Sequence, residues 1–432
     1  MNKLMILGGV VALALGLLGA AGYRVLKNFV EPAPDVSPAG SPPAATRPAG
    51  EADQGFIYGR VTTVNGTTYE GRLRFGGDEE AFWSDDFIGV ERENPWITQL
   101  APEQIPMRKH AIELFGWKLG EHARRIDVTR PLRARFGELA RIDADGKTVR
   151  VTLKDGSVVA LNRSDASDFD GGVRVWDARG TPHLDALYVR SIELLPTRAI
   201  ADPPTRLYGT VRSRRGDFTG FVTWNREKRV GSDELDGSEQ NVRFDTIRSI
   251  ERHAHNSSRV TLGDGHEIVL SSTNDVGAGN AGILVDDPRY GRVTVSWETF
   301  ERVDFAPAGS GPGYGDFPAG SDIFGTLTTR DGRTLRGRIV YDLDESRTNE
   351  ALEGSFEGVD YSIPFRMIAT IAPSSGHPTR VTLRDGTELP LEGEGDVGEQ
   401  NAGALVFAKE GGKPAYVAWA DVERIDLDRP SP

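Results

Sequence analysis

The run VTLGDGHEIVLSSTNDVGAGNAGILV, starting at Val260, is written again without a gap as VTLRDGTELPLEGEGDVGEQNAGALV, starting at Val381. A chain that repeats a passage of this length must fold it twice into the same unit, which limits the architecture more than any single residue does. The repeat extends upstream. LYGTVRSRRGDFTGFVTW from Leu207 matches IFGTLTTRDGRTLRGRIVY from Ile323, and a third copy, IYGRVTTVNGTTYEGRLRF, begins at Ile57. A Phe-x-x-Ile-x-x-Ile step then appears as Phe244, Ile247, Ile250 and as Phe365, Ile368, Ile371; the first copy keeps it as Phe136, Leu139, Ile142. The Val-Thr-Leu-x-Asp-Gly hairpin recurs at Val151, Val260 and Val381, and the copies close on VRSIELL at Val189, FERVDF at Phe300 and VERIDL at Val422.

Within each copy the apolar residues alternate with polar ones. Val260, Leu262, Ile268 and Leu270 alternate with polar neighbours about Asp264-Gly265, and Val381, Leu383, Leu389 and Leu391 do so about Asp385-Gly386. Asp-Gly between alternating runs is a hairpin signal, because the turn needs positive φ at its central residues. About six or seven strands per copy of roughly 100 residues predict an all-β protein of three diverged tandem modules, each barrel-like or sandwich-like. The modules fall at 56–196, 207–306 and 322–428, with a Gly/Pro connector at 307–321 that should be flexible. The first module is about 40 residues longer than the others between its opening hairpin and Phe136, an insertion at about 88–132. The inserted IPMRKHAIELFGWKLGEHARRIDVTR is locally basic and holds His110, Trp117 and His122; it reads as a helix or an extra hairpin, and as a packed decoration in preference to the contact surface that its basic character also allows.

Ahead of the modules, Leu4 to Tyr23 is an uncharged, mostly apolar run long enough to cross a bilayer as a helix. Residues 1–30 therefore read as a signal peptide or transmembrane anchor. The Pro/Ala-rich stretch 31–55 reads as a tether, placing the modules outside the cytoplasm, anchored at the inner membrane or released to the periplasm. Zero cysteines exclude disulfides, thiolate zinc sites, a cysteine nucleophile and a lipidated-cysteine anchor. A formal net charge of −13 without a Lys/Arg run argues against nucleic acid.

The residues that could carry chemistry are few. The shared Asp-Val-Gly loop offers Asp275 and Asn280 in the second copy and Asp396 and Asn401 in the third, with Asp165 as the first-copy counterpart. Oxygen-rich loops of this kind can hold Ca²⁺, but Asp and Asn also cap turns through their own backbone, and the turn is the preferred reading. Trp297 and Trp419 occupy matching positions where the first copy has Ala186. They read as core or interface aromatics; exposed beside a cleft, they would suit sugar stacking. His253, His255 and His266 have no equivalents in the other copies and read as solvated loop residues. No Gly-x-Ser-x-Gly elbow, phosphate-binding Gly-Lys-Ser/Thr loop or His-Glu-x-x-His helix is present.

The Val-x-Leu-x-Asp-Gly hairpin preceded by Gly-x-Val resembles strands of SH3-like and Sm-like small β-barrels over short stretches of each copy. The repeat as a whole is similar to uncharacterised bacterial envelope β-repeat proteins. Neither resemblance implies an activity or a functional residue. The expectation is a non-enzymatic envelope protein whose three modules contact a protein, a ligand or an envelope polymer, with a glycan-binding or glycan-processing protein as the alternative.

Overall fold

A computed structural model describes residues 55–430 apart from 77–78, 115–116, 126–128, 201–202, 273, 310–311, 375 and 410. The apolar run Leu4–Tyr23 and the tether up to residue 54 lie outside the described residues. Among those described, no helix is long and apolar enough to cross a membrane.

The fold is all-β, and the three copies share one topology. Each module holds ten strands of the repeat. Eight of them make an antiparallel sheet in the order seven, six, five, ten, one, two, eight, nine. In the second module the central strands are the fifth, Ile247–Ala254, the tenth, Phe300–Phe305, and the first, Tyr208–Ser213. The count exceeds the expected six or seven because short strands such as His183–Leu184 and Glu234–Asp236 leave too few residues for a period to show. The sheets are open rather than closed barrels, since the seventh and ninth strands at their two edges do not pair with each other.

The three-residue spacing of the Phe-x-x-Ile-x-x-Ile step has a structural cause. The Phe sits buried in a 3₁₀ turn, at Phe136, Phe244 and Phe365, and the next apolar residue begins the fifth strand. A β-bulge follows at once, between Leu139 and Arg141, Ile247 and Ser249, and Ile368 and Thr370. One extra residue converts the spacing of a strand face from two to three, so both apolar side chains reach the core. Leu139, Ile142, Ile250, Ile368 and Ile371 are all fully buried.

The third and fourth strands of each copy form a hairpin outside the eight-stranded sheet. In the second module it is Glu234–Asp236 with Asn241–Arg243, and in the first Asp86–Glu91 with Arg130–Arg135. In the third module, Ala351–Phe356 and Val359–Pro364 instead extend the second module's sheet. Val359–Pro364 pairs with the second module's ninth strand, Gly291–Val295, through Val293 and Tyr361, giving a ten-stranded sheet. Accordingly the apolar core of the second module continues into the third without a break.

The insertion of the first module lies within its third-to-fourth-strand hairpin and contains a further antiparallel hairpin, Met107–Leu114 with Trp117–Arg125. Its leading part, from Asn94 to Pro106, crosses to the third module. Asn94 donates to the Leu343 carbonyl at 2.8 Å, and Ile97 and Leu100 are buried against Val340, Leu343, Leu405 and Phe407. The Trp96 ring meets Phe407 edge-on at 6.2 Å, with the Arg338 guanidinium over both rings. The Gly/Pro connector is also fixed at one point, contrary to the expected flexibility. Phe317 is buried over Gly137, and the Tyr314 hydroxyl donates to the Leu139 carbonyl at 2.7 Å. Two aromatics among glycines and prolines are enough to pin it.

Candidate functional site

The Asp-Val-Gly loop joins the seventh and eighth strands, and its polar atoms are turned onto the protein. In the second module the Asp275 carboxylate accepts the Asp236 N–H at 2.9 Å and the Asn225 amide at 2.8 Å. Its backbone carbonyl accepts the Trp224 indole N–H at 2.8 Å and the Asn280 amide at 3.0 Å, while Asn280 Oδ1 accepts the Gly282 N–H at 2.8 Å. The third module repeats the pattern. Asp396 accepts the Glu353 N–H at 2.6 Å, its carbonyl accepts Tyr341 at 2.5 Å and Asn401 at 2.6 Å, and Asn401 Oδ1 accepts the Gly403 N–H at 2.8 Å. Asn225 and Asp342, both at positive φ after the second strand, accept the N–H groups of Ala281 and Ala402 across the loop.

Asp236 and Glu353 belong to the third strand, so each loop latches the outlying hairpin to the main sheet. The glycines follow from the same path. A Cβ on Gly277 or Gly398 would collide with the carbonyl of Ser272 or Gly393, and Gly282 and Gly403 hold φ of +115° and +87°. The Asp, the Asn and both shared glycines of the repeated motif thus have a backbone partner or a steric reason, and Val276 and Val397 are buried in the core. Asp275 is 2% exposed. Burial raises its pKa, with the Asp236 N–H and Lys228 opposing.

In the first module the equivalent carboxylate is Asp168, not Asp165. Ile88, which follows buried Phe87 as Asp236 follows Leu235, donates its N–H to Asp168 at 2.5 Å. Asp165 pairs with Arg92 instead. The loop here is shorter between the Asp and the positive-φ glycine, Gly172, so spacing back from that glycine selects the wrong residue.

Among the described residues, no group of three or more His, Cys, Asp or Glu is placed to hold a metal. His253 and His255 are exposed, and His266 Nδ1 lies 2.9 Å from its neighbour Asp264.

Two of the cavities that the Asp396 loop borders differ in character. One, of about 220 Å³, is charged: Asp344, Glu345, Glu353 and Asp396 of the third module face Arg130 and Arg133 of the first. Arg130 pairs with Glu350, Arg133 with Glu353, and buried Arg292 of the second module with Asp86. Burial disfavours the charge on Asp86, but Arg292, Arg133 and Arg135 together hold its carboxyl below the usual range. Among the described residues, none of the arginines pairs with Asp396. Burial, with Asp344 and Glu353 nearby, pushes its pKa up to about 7 against the pull of the Glu353 N–H. Glu345 is raised for the same reasons, by burial first and then by Asp344 and Asp396.

The other cavity is a cleft of about 740 Å³ on the far side of the loop, lined by Leu391, Val397, Tyr416 and Trp419 and walled by Pro106 from the first module's insertion. Glu392, Glu399 and Arg330 supply its charges. The two tryptophans matched in sequence therefore part company. Trp297 is 2% exposed, stacked on Phe300 at 5.4 Å with its N–H on the His255 carbonyl, whereas Trp419 is half-buried at the cleft. Arg330, Glu392 and Glu399 carry no distinguishing signal in sequence, because a hairpin turn and a loop about 60 residues apart are brought together only by the fold of the third module.

This chain matches no protein-family model, no curated protein and no solved structure.

Proposed function

We propose that this is a non-enzymatic cell-envelope protein in which residues 1–30 direct or anchor the chain at a membrane and 31–55 tether the modules. The three diverged β modules then present a joint surface to a protein, ligand or envelope-polymer partner. One observation carries this reading. The polar residues that the repeat shares are spent on latching its own strands, while segments of different modules meet at one cleft. A repeat that conserved a reaction would be expected to keep its shared carboxylates open to a substrate; here they accept backbone N–H groups. The cross-module ion pairs and the strap fix the modules against one another, which suits a surface assembled from several of them.

The location is tested by adding protease to cells stripped of their outer layers and following full-length protein. The reading expects digestion from outside and retention in the carbonate-washed membrane fraction if Leu4–Tyr23 stays on the chain. Full protection from external protease, with release only on cell lysis, refutes it.

A further inference from the structure

We propose that the third-module cleft binds a neutral oligosaccharide of N-acetylated hexosamines. The proposal rests on the reading of the modules as binding rather than catalytic units, and names the ligand class.

The chain provides its own control, because the second module builds the same region closed. There Trp297 stacks on Phe300, gives its N–H to the His255 carbonyl at 3.3 Å, and has its own carbonyl held by Arg252 at 2.9 Å. The third module has Val422 where the second has Phe300, Gly376 where it has His255, and Pro373 where it has Arg252. With the stacking ring and the guanidinium gone, Trp419 rests one side on the core, makes an edge contact to the Tyr341 ring at 5.8 Å, and among the described residues has no acceptor for its indole N–H. Arg330 reaches over instead, donating to the Ala420 and Pro373 carbonyls at 2.9 and 3.3 Å and so tying the segments on either side of the cleft to itself.

The lining selects the ligand. A half-buried indole offers a flat apolar surface for the C–H face of a pyranose, and its free N–H suits an acetamide carbonyl. Leu391 and Val397 supply apolar surface for acetamide methyls. Glu392 and Glu399, exposed on the rim, bring acceptor oxygens and negative charge, so they suit hydroxyl and amide donors and, with the Arg330 guanidinium engaged by two carbonyls, disfavour uronic acids. A cleft of about 740 Å³ is of the size that holds a small ligand.

The test is calorimetric titration of the full-length chain with chitotetraose, alongside Trp419→Ala and the paired exposed changes Glu392→Gln plus Glu399→Gln. Saturable binding is expected, weakened at least tenfold by Trp419→Ala and severalfold by the glutamine pair, with tetragalacturonate binding at least tenfold more weakly. The glutamine pair keeps the test valid if Trp419→Ala fails to fold. No heat with millimolar chitotetraose, binding unchanged in either folded variant, or equal binding of tetragalacturonate overturns the proposal. Hydrolysis of chitotetraose by the wild-type chain would instead refute the non-enzymatic reading while leaving the site in place.

Discussion

Replacing Asp396 by asparagine should stabilise the protein at alkaline pH and do little at acid pH. The side chain keeps its shape, and its remaining carbonyl oxygen still accepts the Glu353 N–H. What is lost is a negative charge set among Asp344, Glu345 and Glu353. The carboxyl moves from the ordinary 3.8 up to about 7, so the folded state holds a proton that the unfolded chain has given up. The penalty for ionising it in place is absent below the unfolded value, grows as the pH rises, and is complete above the folded value. At 1.36 kcal/mol per unit this amounts to about 4 kcal/mol, and the side chain's partial exposure to solvent reduces it to about 2 kcal/mol. Removing Asp396 also takes one carboxylate away from Glu345, whose pKa burial raises first and Asp344 and Asp396 raise further. Thermal melts of both proteins between pH 5 and pH 8 should diverge with rising pH, the variant melting roughly 2–4 °C higher at pH 8. Parallel curves, or a variant that loses as much stability at pH 8 as at pH 5, would show that Asp396 is not strained by its charge.

In the first module, Asp168→Ala should cost about 1 kcal/mol in urea unfolding by stranding the Ile88 N–H, whereas Asp165→Ala should leave the midpoint nearly unchanged; the reverse order would restore Asp165 as the loop's counterpart. Millimolar Ca²⁺ or EDTA should not move the melting temperature, because the carboxylates of Asp275 and Asp396 already accept protein N–H groups. A calcium-dependent rise that disappears in Asp275→Ala plus Asp396→Ala would make the loops cation sites. Substituting Ile97 and Leu100 by serine should lower stability by roughly 2–4 kcal/mol and speed hydrogen exchange in Ala404–Phe407 of the third module, an effect across modules that a merely local decoration could not produce.

The strands, turns and threefold order were legible because their causes are local. Gly156, Gly265 and Gly386 sit at φ of +85°, +90° and +93°, the conformation that the Asp-Gly pairs announce. The Asn280 and Asn401 caps were legible too, each amide oxygen accepting the N–H two residues on, but the expected local capping by Asp275 and Asp396 is corrected, since their carboxylates bond to Asp236 and Glu353 on the third strand. Legibility ended where the partner lies far along the chain. Asn94 bonds to Leu343 and Arg292 to Asp86, and nothing near either residue marks the other. Trp297 and Trp419 read alike because the residues that separate them, Phe300 against Val422 and Arg252 against Pro373, look like ordinary variation until packing shows one ring covered and the other open. The first-copy Asp was misassigned for a different reason: a shortened loop moves the carboxylate relative to the glycine, and only the bond to Ile88 identifies it.

Sharing a strand between modules sets a clock on synthesis. Gly291–Val295 leaves the ribosome as an uncovered sheet edge, with Val293 and Val295 on it, and the strand that covers it ends at Pro364, about 70 residues later. At roughly 5–20 residues per second the edge stays open for about 3–14 s in every molecule made. Throughout that interval it offers unpaired backbone groups to the same edge of a neighbouring nascent chain. Slow translation of 296–364 would lengthen the exposure, and truncation before Val359 would make it permanent, so shortened chains should be lost to aggregation even though the second module's own ten strands are complete.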